Sequence, residues 1–185
     1  MRLLASLTLP AALLCLACAP PSSEAPSAEQ AVVEGCAAAA EAAWSGLQVQ
    51  ASSEGAACGD AQATLSITDN GRALLQQTFP TAQVMTLAHV EDRDAMQTAL
   101  AEWVDQTSSN KATASALPAW PEGAETPVSG EFPFYPEEGV DRAAYEAIRA
   151  RNAPLFCHVQ GMESEACYAL ENGALTRVGV QAFPG

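Results

Sequence analysis

The residues of this chain able to do chemistry are six cysteines, two histidines and 22 acidic side chains, set in 185 residues. The cysteines stand at Cys15, Cys18, Cys36, Cys58, Cys157 and Cys167. No two share a C-x-x-C spacing, and neither His89 nor His158 lies near a C-x-x-H pattern. Neither a zinc ligand set nor a dithiol redox motif is therefore read, and no metal or other cofactor is expected. His89 is followed by Glu91, Asp92 and Asp94. Such a group suggests an acid–base pair, but carboxylates at the start of a helix more often cap it and answer its dipole. His158 is expected to point away from the buried face of its strand, as a surface or second-layer side chain. A hydrolase would have to use His158 or dispersed carboxylates such as Glu137, Glu138 and Asp141. Ser164, between Glu163 and Glu165, is poorly placed for a nucleophile, and no G-x-S-x-G, H-E-x-x-H, phosphate loop or G-x-G-x-x-G occurs. No catalytic residue is assigned.

The chain opens with Met1 and Arg2, then an apolar run from Leu3 to Leu16 interrupted by Pro10. The run is too short to span a bilayer and is followed by small residues, as in a signal peptide. It ends Leu14-Cys15-Leu16-Ala17-Cys18. These residues resemble the lipobox of bacterial prolipoproteins, in which a small residue precedes an invariant cysteine. Ala17 and Cys18 match the pattern, Leu16 fits the position before them, and Cys15 stands where the family usually has Leu. The resemblance covers residues 1–18. It implies removal of 1–17 as a signal peptide and a diacylglyceryl thioether on Cys18. Since Ala19 is not an acidic retention signal, it also implies the periplasmic side of the outer membrane in a Gram-negative cell. Several acyl chains anchor durably where one is marginal. The three Pro and three Ser of 19–28 come with no large apolar side chain, so 18–30 reads as anchor and solvated tether. Cleavage at Ala17-Cys18-Ala19 by an ordinary signal peptidase is the alternative, and would yield a soluble periplasmic or secreted protein.

On that resemblance Cys15 leaves with the signal and Cys18 is acylated. Four cysteines then remain in an oxidising compartment, where an even set reads as disulfides. Strand parity chooses among the pairings. If the segments around Cys157 and Cys167 form a hairpin, the two cysteines can sit directly opposite. Asn172-Gly173 is a strong two-residue turn signal that sets Ala169 opposite Thr176 and Cys167 opposite Val178. Leu155, Cys157, Val159, Cys167, Ala169, Val178, Val180 and Ala182 then share one apolar face. This favours Cys157–Cys167 and leaves Cys36–Cys58.

Several elements must position these groups. Ser27 and Gln30 look like a capping box, and Val33, Cys36, Ala40, Ala43, Trp44 and Leu47 fall on one helical stripe that Gly46 can end. Residues 61–79 read as a hairpin about Asp69-Asn70-Gly71. A three-residue loop is expected there, with Ile67 against Ala73 and Leu65 against Leu75, because it keeps one apolar face. A short helix is expected over 81–89 with Val84, Met85 and Leu87 partly inward. A second, over 93–106, carries Met96, Ala99, Leu100, Trp103 and Val104 on its stripe. Asp141 can cap a helix over 142–151, with Val140 stapled onto Tyr145. The expected class is α+β: an antiparallel sheet, made of the N-terminal hairpin and a C-terminal three-stranded meander, with helices packed on one face in a single domain over 31–185.

Residues 107–139 show no sustained period but carry Trp120, Phe132, Phe134 and Tyr135 among prolines. These rings either plug the sheet or form a docking surface for a partner or an apolar ligand. Eight Lys and Arg against 22 acids give a net charge of −14, which excludes a nucleic-acid footprint and favours basic partners. The 49% of apolar residues includes 39 alanines, and with 16% charged residues it still indicates a folded chain. The expected function is a lipid-anchored envelope domain that binds a partner and is not an enzyme. An envelope hydrolase and a structural or assembly lipoprotein are the alternatives.

Overall fold

Four strands follow one another as an antiparallel meander, β1 (Ala38–Trp44), β2 (Leu47–Glu54), β3 (Gln62–Asp69) and β4 (Arg72–Pro80). Five more, β5 (Val128–Ser129), β6 (Phe132–Pro136), β7 (Leu155–Val159), β8 (Ser164–Glu171) and β9 (Ala174–Ala182), form a second antiparallel sheet in the order β5-β6-β9-β8-β7. Two helices, α1 (Arg93–Val104) and α2 (Arg142–Arg151), complete the fold. This computed structural model describes residues 35–183 apart from Ser108 and Asn110. The expected signal peptide, Cys18 and the tether of 18–30 lie outside the described residues. Among the described residues no helix is long and apolar enough to cross a membrane.

Antiparallel sheets with helices against them are present, as expected, but the expected single sheet is two. The largest correction lies over 38–54, where a hairpin stands in the expected helix's place; the expected capping box at Ser27 and Gln30 lies outside the described residues. Ser45 and Gly46 adopt φ of 49° and 81°, so the chain reverses in two residues and Trp44 pairs with Leu47. Two successive positive φ values are the signature of a type I′ hairpin turn and are closed to a helix. Val49 and Ala51 bury fully on the face that Ala40, Ala42 and Trp44 share. The Cys36–Cys58 disulfide, with Cα atoms 4.9 Å apart, ties the start of this hairpin to the short 3-10 turn before β3.

The β3–β4 turn also differs from expectation. Asp69 pairs with Arg72 across a two-residue Asn70-Gly71 loop, both residues at positive φ. The register then slips by one beyond Thr68, setting Ile67 against Leu75 and Leu65 against Gln77. A bulge in the strand thus does what a longer loop was expected to do, and Leu74 and Leu75 both reach the core. Over 81–89 there is only a 3-10 turn, Thr81–Gln83; Val84 and Leu87 are buried while Met85 is exposed.

Helix α1 lies across β1 and β2 with Met96, Ala99, Leu100, Trp103 and Val104 buried, as its periodicity predicts. The alanines of β1 leave room for that approach. Met96 and Leu100, each fully buried, contribute about 2 kcal/mol apiece from burial. Asp92 caps α1 by accepting from the Ala95 amide at 2.8 Å. Asp141 caps α2 the same way through Ala144, also at 2.8 Å. Contrary to expectation the helices do not share one face. α1 belongs to the core of the first sheet, and α2 covers a separate core built on Phe134, Tyr145, Leu155 and the Cys157–Cys167 disulfide.

The second sheet stands between these cores. Along β7, Leu155 and Cys157 face α2, whereas Phe156 joins the core of the first sheet. Cys157 pairs with Cys167 and Ala169 with Thr176, as the hairpin register requires. Cys167, however, faces Gly179 and not Val178, because β9 bulges there. Val178 stays in the α2-side core, but the shift flips the parity beyond it. Val180 pairs with Ala166, and the expected common face of Val180 and Ala182 with the disulfide is lost.

Candidate functional site

Strand β7 is an edge strand, and an edge exposes unpaired backbone groups unless something covers them. Here the covering is built from side chains at the C-terminal end of α1 and the segment after it. Trp103 donates its indole N–H to the Val159 carbonyl at 2.7 Å. The Gln106 amide donates through Nε2 to the Cys157 carbonyl at 3.0 Å and accepts from the Cys157 amide at 3.3 Å. Further along, Leu155 donates to the Ala112 carbonyl at 3.0 Å. Between α1 and this edge lies a pocket of about 340 Å³, whose wall includes Thr86, Glu102, Asp105, His158 and Glu165.

His158 corrects the expectation of a surface side chain. Its ring does point to the side opposite the disulfide, but that side is the first core, and the residue is only 2% exposed. Phe79, Trp103, Phe156 and Tyr168 surround it with ring centroids at 5.7, 5.9, 6.0 and 5.9 Å, Tyr168 stacking nearly parallel. Nδ1 lies 3.2 Å from the Val159 carbonyl oxygen, which can only accept, so Nδ1 carries the proton and Nε2 the lone pair. Burial, helped by the nearby Arg177 charge, pushes the pKa down to about 4, against the hydrogen bond to Val159. The ring is neutral at physiological pH. Nε2 is buried and has no hydrogen-bond partner among the described residues, and the same holds for Thr86 Oγ1.

The carboxylates of the wall differ in their engagement. Glu165 is ion-paired with Lys111, both largely covered. Asp105 accepts from the Thr107 amide at 2.7 Å and the Thr107 hydroxyl at 3.0 Å, which hold its pKa below the usual carboxylate range. Glu102 is exposed on α1. Glu165 also lies near Cys157 and Cys167, but those sulfurs are joined to each other, with Cα atoms 4.1 Å apart, and are not free to ligate a metal.

The other residues singled out from the sequence are dispersed. His89 is exposed beyond the 3-10 turn. Glu137 pairs with Arg177 at 3.3 Å and Asp141 caps α2, so these acids do not converge as a catalytic pair. Of the aromatic set, Phe134 is in the core, in contact with Tyr145. Trp120 is half-buried, edge-on to Tyr145, with its indole N–H donated to the Ala124 carbonyl at 2.9 Å. Phe132 is half-buried and Tyr135 is 53% exposed. Tyr145 donates to the Pro118 carbonyl at 2.9 Å and Arg149 to that of Leu117 at 3.1 Å, so α2 pins the proline-rich segment onto the second sheet. No sequence signal pointed to the pocket beside β7. Its wall comes from positions between Thr86 and Glu165, which only the fold brings together.

No known family model, curated protein or solved structure matches this chain.

Proposed function

We propose that this chain is a lipid-anchored cell-envelope protein whose folded domain binds a basic partner and catalyses no reaction. One observation carries the reading: the domain spends its cations on itself. Arg72, Lys111, Arg149, Arg151 and Arg177 each pair with an acid, namely Asp69, Glu165, Glu146, Glu171 and Glu137. The other two described basic residues are bound to carbonyls, Arg93 to Ala37 at 2.8 Å and Arg142 to Trp120 at 3.0 Å. The other described acids are exposed and none is paired with a cation. Such a field attracts basic surfaces and is repelled by anionic lipid headgroups. The lipid on Cys18 would hold the protein at the membrane, and the tether would keep the anionic domain clear of it.

The test is binding of residues 18–185 carrying Cys18→Ser, produced without the signal peptide, to a small basic protein such as cytochrome c. An acidic protein of similar size serves as the control. Binding that is selective for the basic protein and weakens steeply with salt supports the reading, since exposed charges are screened within about 8 Å at physiological ionic strength. No capture at low salt, or capture indifferent to salt, overturns it.

A further inference from the structure

We infer that the outer edge of β1 is a strand-addition site for an extended segment of a basic protein, with a Lys or Arg of that segment set opposite Glu41. The inference rests on the reading of a basic partner and names the surface on which that partner docks. The other sheet edges are short or engaged. β5 has two residues, β7 is capped by Trp103, Gln106 and Ala112, and β4 lies beside β9, where the Tyr168 hydroxyl donates to Gln77 at 3.2 Å. β1 runs for seven residues with neither Pro nor Lys to blunt it. Its pairing with β2 tells which backbone groups face out. Trp44 and Leu47 flank a two-residue turn and so form a hydrogen-bonded pair. Alternation then commits Ala42, Ala40 and Ala38 to β2 and turns the N–H and C=O of Ala43, Glu41 and Ala39 outwards. Ala37, next in the outward series, agrees with this: its carbonyl accepts from Arg93 Nε at 2.8 Å. Beyond it, no hydrogen bond from the described residues reaches the backbone of Ala39, Glu41 or Ala43, and all three residues are exposed. Outward donors and acceptors at every second residue are the template that an added antiparallel strand completes. The alanines leave its backbone room to approach. An open hollow of about 460 Å³, lined by Glu41, Ala42, Ala43, Gly46, Leu47 and Gln48, adjoins this edge. Its small apolar side chains suit the methylene stem of a Lys or Arg whose charge reaches Glu41. Glu41 has no cation among the described residues; it accepts only from the Gln50 amide, at 3.1 Å. The same carboxylate argues against a second copy as occupant. A two-fold pairing that used all three outward residues would set Glu41 opposite its twin, and like charges directly opposite destabilise a sheet.

The probe is an end-blocked peptide, Thr-Val-Thr-Lys-Thr-Val-Thr, whose lysine and valines share one face. It is titrated by NMR, at low salt, into residues 18–185 carrying Cys18→Ser. The expected result is saturable slowing of hydrogen exchange at the amides of Ala39, Glu41 and Ala43. N-methylation of the two valines keeps the peptide's charge but removes two donors aimed at β1, so binding should weaken about tenfold. Glu41→Gln should weaken it about threefold, the scale of one exposed ion pair. Glu41→Lys should reverse the preference, towards a peptide with glutamate in place of its lysine. Glu41 is exposed, so both variants keep the fold. Exchange unchanged at the three amides, or an N-methylated peptide that binds as well as its parent, overturns the edge site. Equal binding of the lysine and glutamate peptides by the unsubstituted protein overturns the basic occupant. Slowing that needs no peptide and grows with protein concentration assigns the edge to a second copy and overturns the proposal as well. The basic-partner reading stands or falls separately, on salt-sensitive capture of cytochrome c.

Discussion

The side-chain amide of Gln106 completes both backbone hydrogen bonds of Cys157, donating at 3.0 Å and accepting at 3.3 Å. A single amide thus stands in for a neighbouring strand at the edge of β7. Gln106→Ala leaves that N–H and that carbonyl without partners at a half-covered position, which costs about 1–3 kcal/mol. The expected outcome is a lower urea midpoint and faster hydrogen exchange at the Cys157 amide. Gln106→Glu keeps the acceptor and loses the donor, so its midpoint should fall between the two.

His158 makes stability depend on pH in a defined direction. Its pKa is about 4 in the folded protein and near 6.5 when unfolded, so the unfolded chain binds the extra proton first. Stability is full above about pH 6.5, declines as the pH falls towards about 4, and levels off below. At about 1.4 kcal/mol per pH unit the loss is about 3 kcal/mol. Denaturant curves across this range should show the slope in the native chain. His158→Phe keeps the aromatic volume and removes the titration, so its acid limb should be flatter. An unchanged limb in the variant would assign the acid sensitivity to other groups.

Gly179 admits no side chain. A Cβ there would sit 2.3 Å from the Tyr135 carbonyl oxygen and 2.6 Å from the Phe134 ring. Gly179→Ala must therefore push β6 away from β9 or displace Phe134 from the core, and the expected cost is at least about 3 kcal/mol. Thermal unfolding measures it. Gly59→Ala, where the added carbon meets nothing within 4 Å, is the matched control and should be nearly neutral.

Cys18→Ser tests the anchor. The substitution removes the atom that would carry the lipid, so the protein should move from the membrane pellet to the soluble fraction or remain unprocessed. A mature chain whose N-terminal residue lies beyond 18, seen by mass spectrometry, would assign it to ordinary secretion.

Legibility in the sequence followed the strength of local signals. α1 carries a 3.6-residue stripe and α2 an Asp141 cap, and both helices are where those signals put them. The opposition of Cys157 and Cys167 follows from one turn and strict parity. The stretch from Ala37 to Ala43 defeated periodicity because alanine satisfies a helical stripe and an alternating strand equally well. The decisive information lay in the backbone angles of Ser45 and Gly46, and Gly46 read as a helix stop also fits a turn. The register shifts at Ile67/Thr68 and Cys167/Tyr168 fall inside strands, where strict alternation predicts none. Alternation identifies one buried face and so makes His158 peripheral. A strand covered on both sides has no polar face to reveal, and β7 is such a strand.

That double coverage has a thermodynamic consequence. Phe156 and His158 are built into one core while Leu155 and Cys157 are built into the other, on consecutive residues of a five-residue strand. Releasing β7 from one core disturbs the other, so a single thermal transition is expected for the two sheets, and reducing the Cys157–Cys167 disulfide is expected to lower it as a whole.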